Sequence, residues 1–163
     1  MQLGAIPPTE IVFLAGLRPD DKTETIKKNA PMPQGNFLHA QWRNKPCRNY
    51  QIHIHSEFNK IRFTRTPDGG RHGKIEFEAV VYTPEGETVN SIERTVHFDL
   101  KEDDYRQFVK YGFGVDVSIA IPVKGSYFLR VGVHDTVGDQ VGAVEFPVDQ
   151  VRLGVAGAGF DKN

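Results

Sequence analysis

Val115-Asp116-Val117-Ser118-Ile119-Ala120-Ile121-Pro122-Val123, then Lys124-Gly125-Ser126, then Tyr127-Phe128-Leu129-Arg130-Val131-Gly132-Val133, is the stretch that sets the fold class. Every second residue is apolar on both sides of a short polar turn, the period of a strand with one dry face. The same period extends outward. Val144, Phe146 and Val148 follow Gly138-Asp139; upstream, Tyr50, Ile52 and Ile54 alternate with Gln51, His53 and His55, Ile61 and Phe63 with Arg62 and Thr64, and Ile75, Phe77, Ala79 and Val81 with Glu76, Glu78 and Val80. After the turn Thr83-Pro84-Glu85-Gly86-Glu87 a further strand runs through Ile92, Val96 and Phe98. From Cys47 onward these make seven strands, which predicts an all-β protein: an antiparallel β-sandwich of the immunoglobulin or fibronectin type.

One helix is expected. Asp99-Leu100-Lys101-Glu102 reads as a capping box opening a helix to about Lys110, with Leu100, Tyr105, Phe108 and Val109 as its apolar stripe and Gly112 as its stop. Residues 1–46 differ in texture. They hold prolines 7, 8, 19, 31, 33 and 46 and read as an N-terminal extension with two short extended pieces, Glu10 to Leu17 and Phe37 to Arg43. The sandwich is expected over 47–151, and the glycine-rich 152–163 reads as a flexible tail.

Composition narrows the function classes without choosing one. Twenty Lys+Arg against 21 Asp+Glu lack the basic excess of a nucleic-acid binder. No apolar run reaches the roughly 20 residues of a membrane span. A single cysteine, Cys47, excludes an intrachain disulfide and an all-cysteine metal cage.

Gly125-Ser126-Tyr127-Phe128-Leu129-Arg130-Val131, followed by His134-Asp135 and Val141-Gly142-Ala143, resembles the C-terminal domain of the von Willebrand factor A-related acidobacterial proteins. Gly73-Lys74-Ile75-Glu76-Phe77, Tyr82-Thr83-Pro84-Glu85-Gly86 and Asp103-Asp104-Tyr105 to Gly112 are also similar to that family, so the resemblance spans about residues 50–151. It implies an exported bacterial protein with an integrin-like A domain ahead of a tail of this kind, and it supplies no catalytic residue. The A domain's Asp-x-Ser-x-Ser metal run is not matched, since Asp116-Val117-Ser118-Ile119-Ala120 lacks the second serine. An extracytoplasmic location follows from the resemblance; the start Met1-Gln2-Leu3-Gly4, without a basic or apolar leader region, points instead to the cytoplasm. Tyr127 is similar to a tyrosine corner, with Leu129 where antibody domains carry their second cysteine.

Candidate chemistry is sparse. His53 and His55 project from one strand face and could share a metal with a third ligand from His72, His97 or His134; the same alternation makes them a solvated face, the preferred reading. Cys47 beside Lys45 and Arg48 is a possible thiol nucleophile, and Glu76 with Glu78 or Asp103 with Asp104 are possible acid pairs, each more simply structural or solvated. Trp42, near Arg43 and Tyr50, is a candidate for stacking on a sugar or a peptide. Arg130, if crowded, would need an acid such as Asp116 or Asp135. The expectation is a non-catalytic interaction module without cofactor or resident metal, binding a protein partner or itself. The alternative is a carbohydrate-binding module, and a metal-dependent enzyme on His53 and His55 ranks last.

Overall fold

The computed structural model describes residues 8–32, 35–56 and 61–150. The expected tail 152–163 lies outside them. Among the described residues eight strands and one helix follow in order: β1 Phe13–Thr25, β2 Pro46–Ser56, β3 Thr64–Arg65, β4 Arg71–Tyr82, β5 Thr88–Leu100, α1 Glu102–Tyr111, β6 Phe113–Pro122, β7 Phe128–Asp135 and β8 Gln140–Pro147. Short 3-10 turns occupy Ala40–Trp42 and Val148–Gln150. All pairings are antiparallel. One sheet is ordered β1-β2-β6; in the other β4 pairs with β5 along its length, while β3 and then β7 share its opposite side and β8 follows β7.

The alternation read from the sequence becomes the interior of this two-sheet sandwich. Ile52 and Ile54 of β2, Val117 and Ile119 of β6, Ile75, Phe77, Ala79 and Val81 of β4, and Leu129, Val131 and Val133 of β7 are all buried. Removing such side chains from water is the main stabilising term, roughly 1.5–3 kcal/mol for each fully buried one. An aromatic cluster fills one end. Phe98 and Phe108 meet edge-to-face at 4.9 Å, and Phe63 packs on Tyr105 at 5.5 Å, holding α1 against the sheet.

Several boundaries differ from the expectation. β5 continues to Leu100 because its register with β4 runs to Arg71↔Leu100, so Asp99 lies within the strand, where its carboxylate meets His72 Nδ1 at 2.7 Å. The helix therefore begins at Glu102 with Lys101 as N-cap and no side-chain cap, although Gly112 closes it as expected at φ 68°. The strand expected at Ile61 and Phe63 is only Thr64–Arg65, since the Arg62 amide is drawn to Asp135 Oδ2 at 2.8 Å.

The N-terminal stretch departs most. In place of a short piece ending at Leu17, β1 is a 13-residue strand and a full member of the three-stranded sheet. Pro19 is tolerated because β1 lies at the sheet edge and its register shifts between Pro19 and Thr23, where a missing N–H costs least. The second expected piece, Phe37 to Arg43, is extended only at its start, where the Phe37 and His39 amides bond to Ser91 O and Val89 O, and it then turns at Ala40–Trp42. Just before β1, Thr9 bridges to Gly142, while the Ile11 amide bonds to Val141 O and the Ala143 amide to Pro8 O. The chain thus lies along β8 of one sheet and crosses within four residues to β2 of the other. A Cβ at Gly142 would stand 2.0 Å from Ile11 O, so this close approach requires glycine.

The seam between β5 and β6 is closed by side chains instead of a strand. Asn36 donates from Nδ2 to Ser118 O at 2.8 Å, and its Oδ1 accepts from the Ala120 amide at 2.9 Å and from Asn90 Nδ2 at 2.8 Å. Asn90 Nδ2 also donates to Ala120 O at 2.7 Å, and Arg94 Nη1 to Asp116 O at 3.0 Å. Both asparagines are buried. Replacing Asn36 or Asn90 by alanine is expected to cost about 1–3 kcal/mol each, because buried backbone groups of Ser118 and Ala120 lose their partners. Urea unfolding of the two single variants and the double variant would read this, the double costing less than the sum.

Candidate functional site

The strand pairings decide which candidates can meet. His53 and His55 face outward from the three-stranded sheet, where β2 sets His53 opposite Asp116 and His55 opposite Gly114. His53 Nδ1 lies 2.6 Å from Asp116 Oδ1, with the two side chains 59% and 69% exposed. His72, His97 and His134 belong to β4, β5 and β7 of the other sheet and sit on the opposite outer face. Packed sheets lie about 10 Å apart with the core between them, so those imidazoles cannot converge with His53 and His55. Among the described residues no group of three His, Cys, Asp or Glu side chains is placed to hold a metal.

Asp116 and Asp135 are both spoken for. Asp135 is buried, taking the Arg62 and Val137 amides on its two oxygens at 2.8 and 3.0 Å. Arg130, on an outward strand position yet only 1% exposed, pairs instead with its cross-strand neighbour Glu145 at 3.3 Å. Glu145 also accepts the Tyr82 hydroxyl, and burial first, then this carboxylate, push the Tyr82 phenol far above its ordinary range. This network ties β4, β7 and β8 together. Sequence alone could not choose the acid, since Glu145 becomes a neighbour only through the β7–β8 register.

Trp42 stands on the 3-10 turn with its ring edge-on to Tyr127 at 5.8 Å, and the Lys45 ammonium lies 4.0 Å from its centre. Half-buried and covered in this way, it packs the end of the domain. Tyr127 is buried just before β7 and donates from its hydroxyl to Lys124 O at 2.5 Å. A Cβ at Gly125 would lie 2.6 Å from that hydroxyl, which explains the Gly-x-Tyr spacing. Cys47 is buried, and burial pushes its thiol upward against the smaller opposing pull of Lys45. A nucleophilic cysteine needs the reverse shift.

Two surfaces remain. The first is a groove of about 580 Å³ on the outer face of the five-stranded sheet, floored at Gly132 and bordered by Pro8, Glu78, Glu93, Thr95 and His134. Here Glu78 and Glu93 are direct cross-strand partners of like charge. Glu76 beside them is occupied: the Lys74 ammonium, at 2.5 Å, holds its carboxyl below the usual range, with His134 at 3.4 Å as a lesser contributor. The second is the free side of β1. Val12 and Leu14 are 67% and 66% exposed there, and among the described residues β2 is the only strand paired with β1. No helix among the described residues is long and apolar enough to cross a membrane.

Comparison with protein-family models, with curated proteins and with solved structures finds no match.

Glu93→Lys is expected to stabilise the domain by a few tenths to about 1 kcal/mol, since it replaces a like-charged cross-strand pair with an opposite one. Denaturant titration at low and high salt checks it, the gain shrinking as salt screens the pair. Burial raises the phenols of Tyr50, Tyr82 and Tyr127 above their ordinary value. Their contribution to stability is complete below about pH 10, where unfolded tyrosine titrates, and is lost as pH rises further because the unfolded chain ionises first. Thermal melts between pH 8 and 11.5 should show this decline, and Tyr127→Phe, about 1 kcal/mol less stable at neutral pH, should show a shallower one.

Proposed function

We propose that the chain is a non-catalytic binding module of the immunoglobulin or fibronectin type, docking an extended segment of a protein partner along the β1 edge. The fold type is supported by the strand orders, β1-β2-β6 against β5-β4-β7-β8, and by the Tyr127 hydroxyl turned back to Lys124 O. The resemblance to the tail of von Willebrand factor A-related acidobacterial proteins belongs to the same reading. It would place the module behind an A domain in an exported bacterial protein.

One observation carries the docking edge. β8 is lined by Pro8 to Ile11, β5 is met at Val89 and Ser91 by His39 and Phe37, and β6 is closed by Asn36, Asn90 and Arg94. β1 receives no such cover among the described residues. Its second half, Arg18-Pro19-Asp20-Asp21-Lys22-Thr23-Glu24, carries the charges and proline that discourage pairing, whereas Phe13-Leu14-Ala15-Gly16-Leu17 carries neither. A strand with one neighbour directs alternate N–H and C=O groups outward, and an added strand would satisfy them while covering Val12 and Leu14.

Selection of binding peptides from a display library against the whole chain, followed by hydrogen exchange, tests this reading. The expected binders alternate apolar residues, protect the amides of residues 13–17, and lose at least about tenfold in affinity with Leu14→Lys. Protection confined to the Glu78–Glu93 groove, or binding of glycans with β1 unprotected, would overturn it.

A further inference from the structure

We infer that the β1 edge pairs with the β1 edge of a second copy of this chain, antiparallel about a two-fold axis at Ala15. This rests on the reading of β1 as a docking edge and names its partner. Such an axis sets residue i opposite residue 30 − i: Phe13 meets Leu17, Leu14 meets Gly16 and Ala15 meets itself. Phe13, Ala15 and Leu17 lie on the inner side of β1, where Ala15 and Leu17 remain half-exposed and pack at the margin of the core. The second copy's Leu17 and Phe13 would continue that apolar layer into a joint six-stranded sheet.

On the outer side the match is one of shape. Leu14 stands 66% exposed, and Gly16 is exposed with nothing nearer its absent side chain than His53 O at 4.0 Å. Each Leu14 would therefore rest in the space over the other copy's Gly16, twice about the axis. The isologous geometry needs no other surface to be complementary. Charge does not oppose it: between Val12 and Leu17 the strand carries no ionisable side chain, and the charged stretch Arg18 to Glu24 sits beyond the paired length.

The area sets the strength. Five paired residues in each copy, 13–17, with one outward leucine from each, fall well below the roughly 1,200 Å² of a standard interface, so the dimer is weak and forms in the micromolar range or above. The association is accordingly concentration-dependent.

Sedimentation equilibrium on the full chain from about 1 to 500 µM tests this, a range chosen to bracket a weak interface. Wild type is expected to pass from monomer to dimer. Leu14→Lys should raise the dissociation constant at least about tenfold, since it sets two like charges on diagonal positions roughly 7–8 Å apart across the axis. Gly16→Val should weaken it to a similar degree by filling the space that receives Leu14, although valine favours strands. Both positions are exposed, so the variants should keep the wild-type circular dichroism and melting temperature. A chain that stays monomeric throughout, or a dimer unmoved by both substitutions, overturns self-pairing; sensitivity to Leu14→Lys alone overturns the axis at Ala15. A monomer that still binds display peptides at residues 13–17 removes only this inference and leaves the docking edge standing.

Discussion

An antiparallel sheet must dispose of the N–H and C=O groups along its outer strands, and in this protein the β6 edge is where that constraint is met by the least ordinary means. Among the described residues no strand lies beyond β6. The side-chain amide of Asn36 takes the place of one, offering a donor to Ser118 O and an acceptor to the Ala120 amide as a peptide group would. Asn90 completes the seam from β5, the neighbouring strand of the opposite sheet. Buried backbone groups left without partners cost more than a hydrogen bond contributes on balance, so these amides protect the closure of the sandwich more than they add to it. Because Asn36 reaches the seam from a segment hydrogen-bonded to β5, the loop that follows β1 is drawn into the fold as well.

The strands were legible wherever one face alone is dry. Ile52 to Ser56 of β2, Arg71 to Ala79 of β4 and Phe113 to Ile119 of β6 alternate because each stretch turns one side to the core and the other outward, whereas in β7 the outward side is covered as well, at Arg130 and Gly132. The seam was not legible. Asn36 follows Gly35 in a proline-rich segment where asparagine ordinarily signals a turn, and nothing local shows that its amide reaches a strand 82 residues away. β1 was obscured for a related reason: Pro19 and a run of charges argue against a central strand, but they are compatible with an edge, and edge position is a property of topology. The capping-box pattern at Asp99 failed through competition. Pairing with β4 held the chain extended to Leu100, outweighing the modest gain of a cap and leaving Asp99 to His72.

The candidate site residues divide along the same line. Spacing within one strand correctly set His53 and His55 on one face, yet which residues stand across from them depended on register, and register supplied Asp116 and Gly114. Three further histidines in the sequence suggested a possible third ligand. They lie on the far side of a core roughly 10 Å thick, a separation that period-two reasoning within single strands cannot detect. Arg130 shows the converse. Its burial on an outward position was not foreseeable, while its need for an acid was, and the cross-strand Glu145 meets that need.

The exposed apolar start of β1 follows from the crossing that precedes it. Between Thr9, bridged to β8, and Phe13, paired with β2, the chain passes from one sheet to the other, and Ile11 and Phe13 turn into the core as it does so. In an extended chain residues between inward-facing ones must face outward, so Val12 and Leu14 are presented to solvent by the same geometry that buries Ile11 and Phe13. A charged side chain at either position would have been equally compatible with the crossing, as the charges farther along β1 show. Leucine at 14, with glycine two residues on, is therefore not required by the domain's own packing, and that freedom makes the pair informative about what meets this edge.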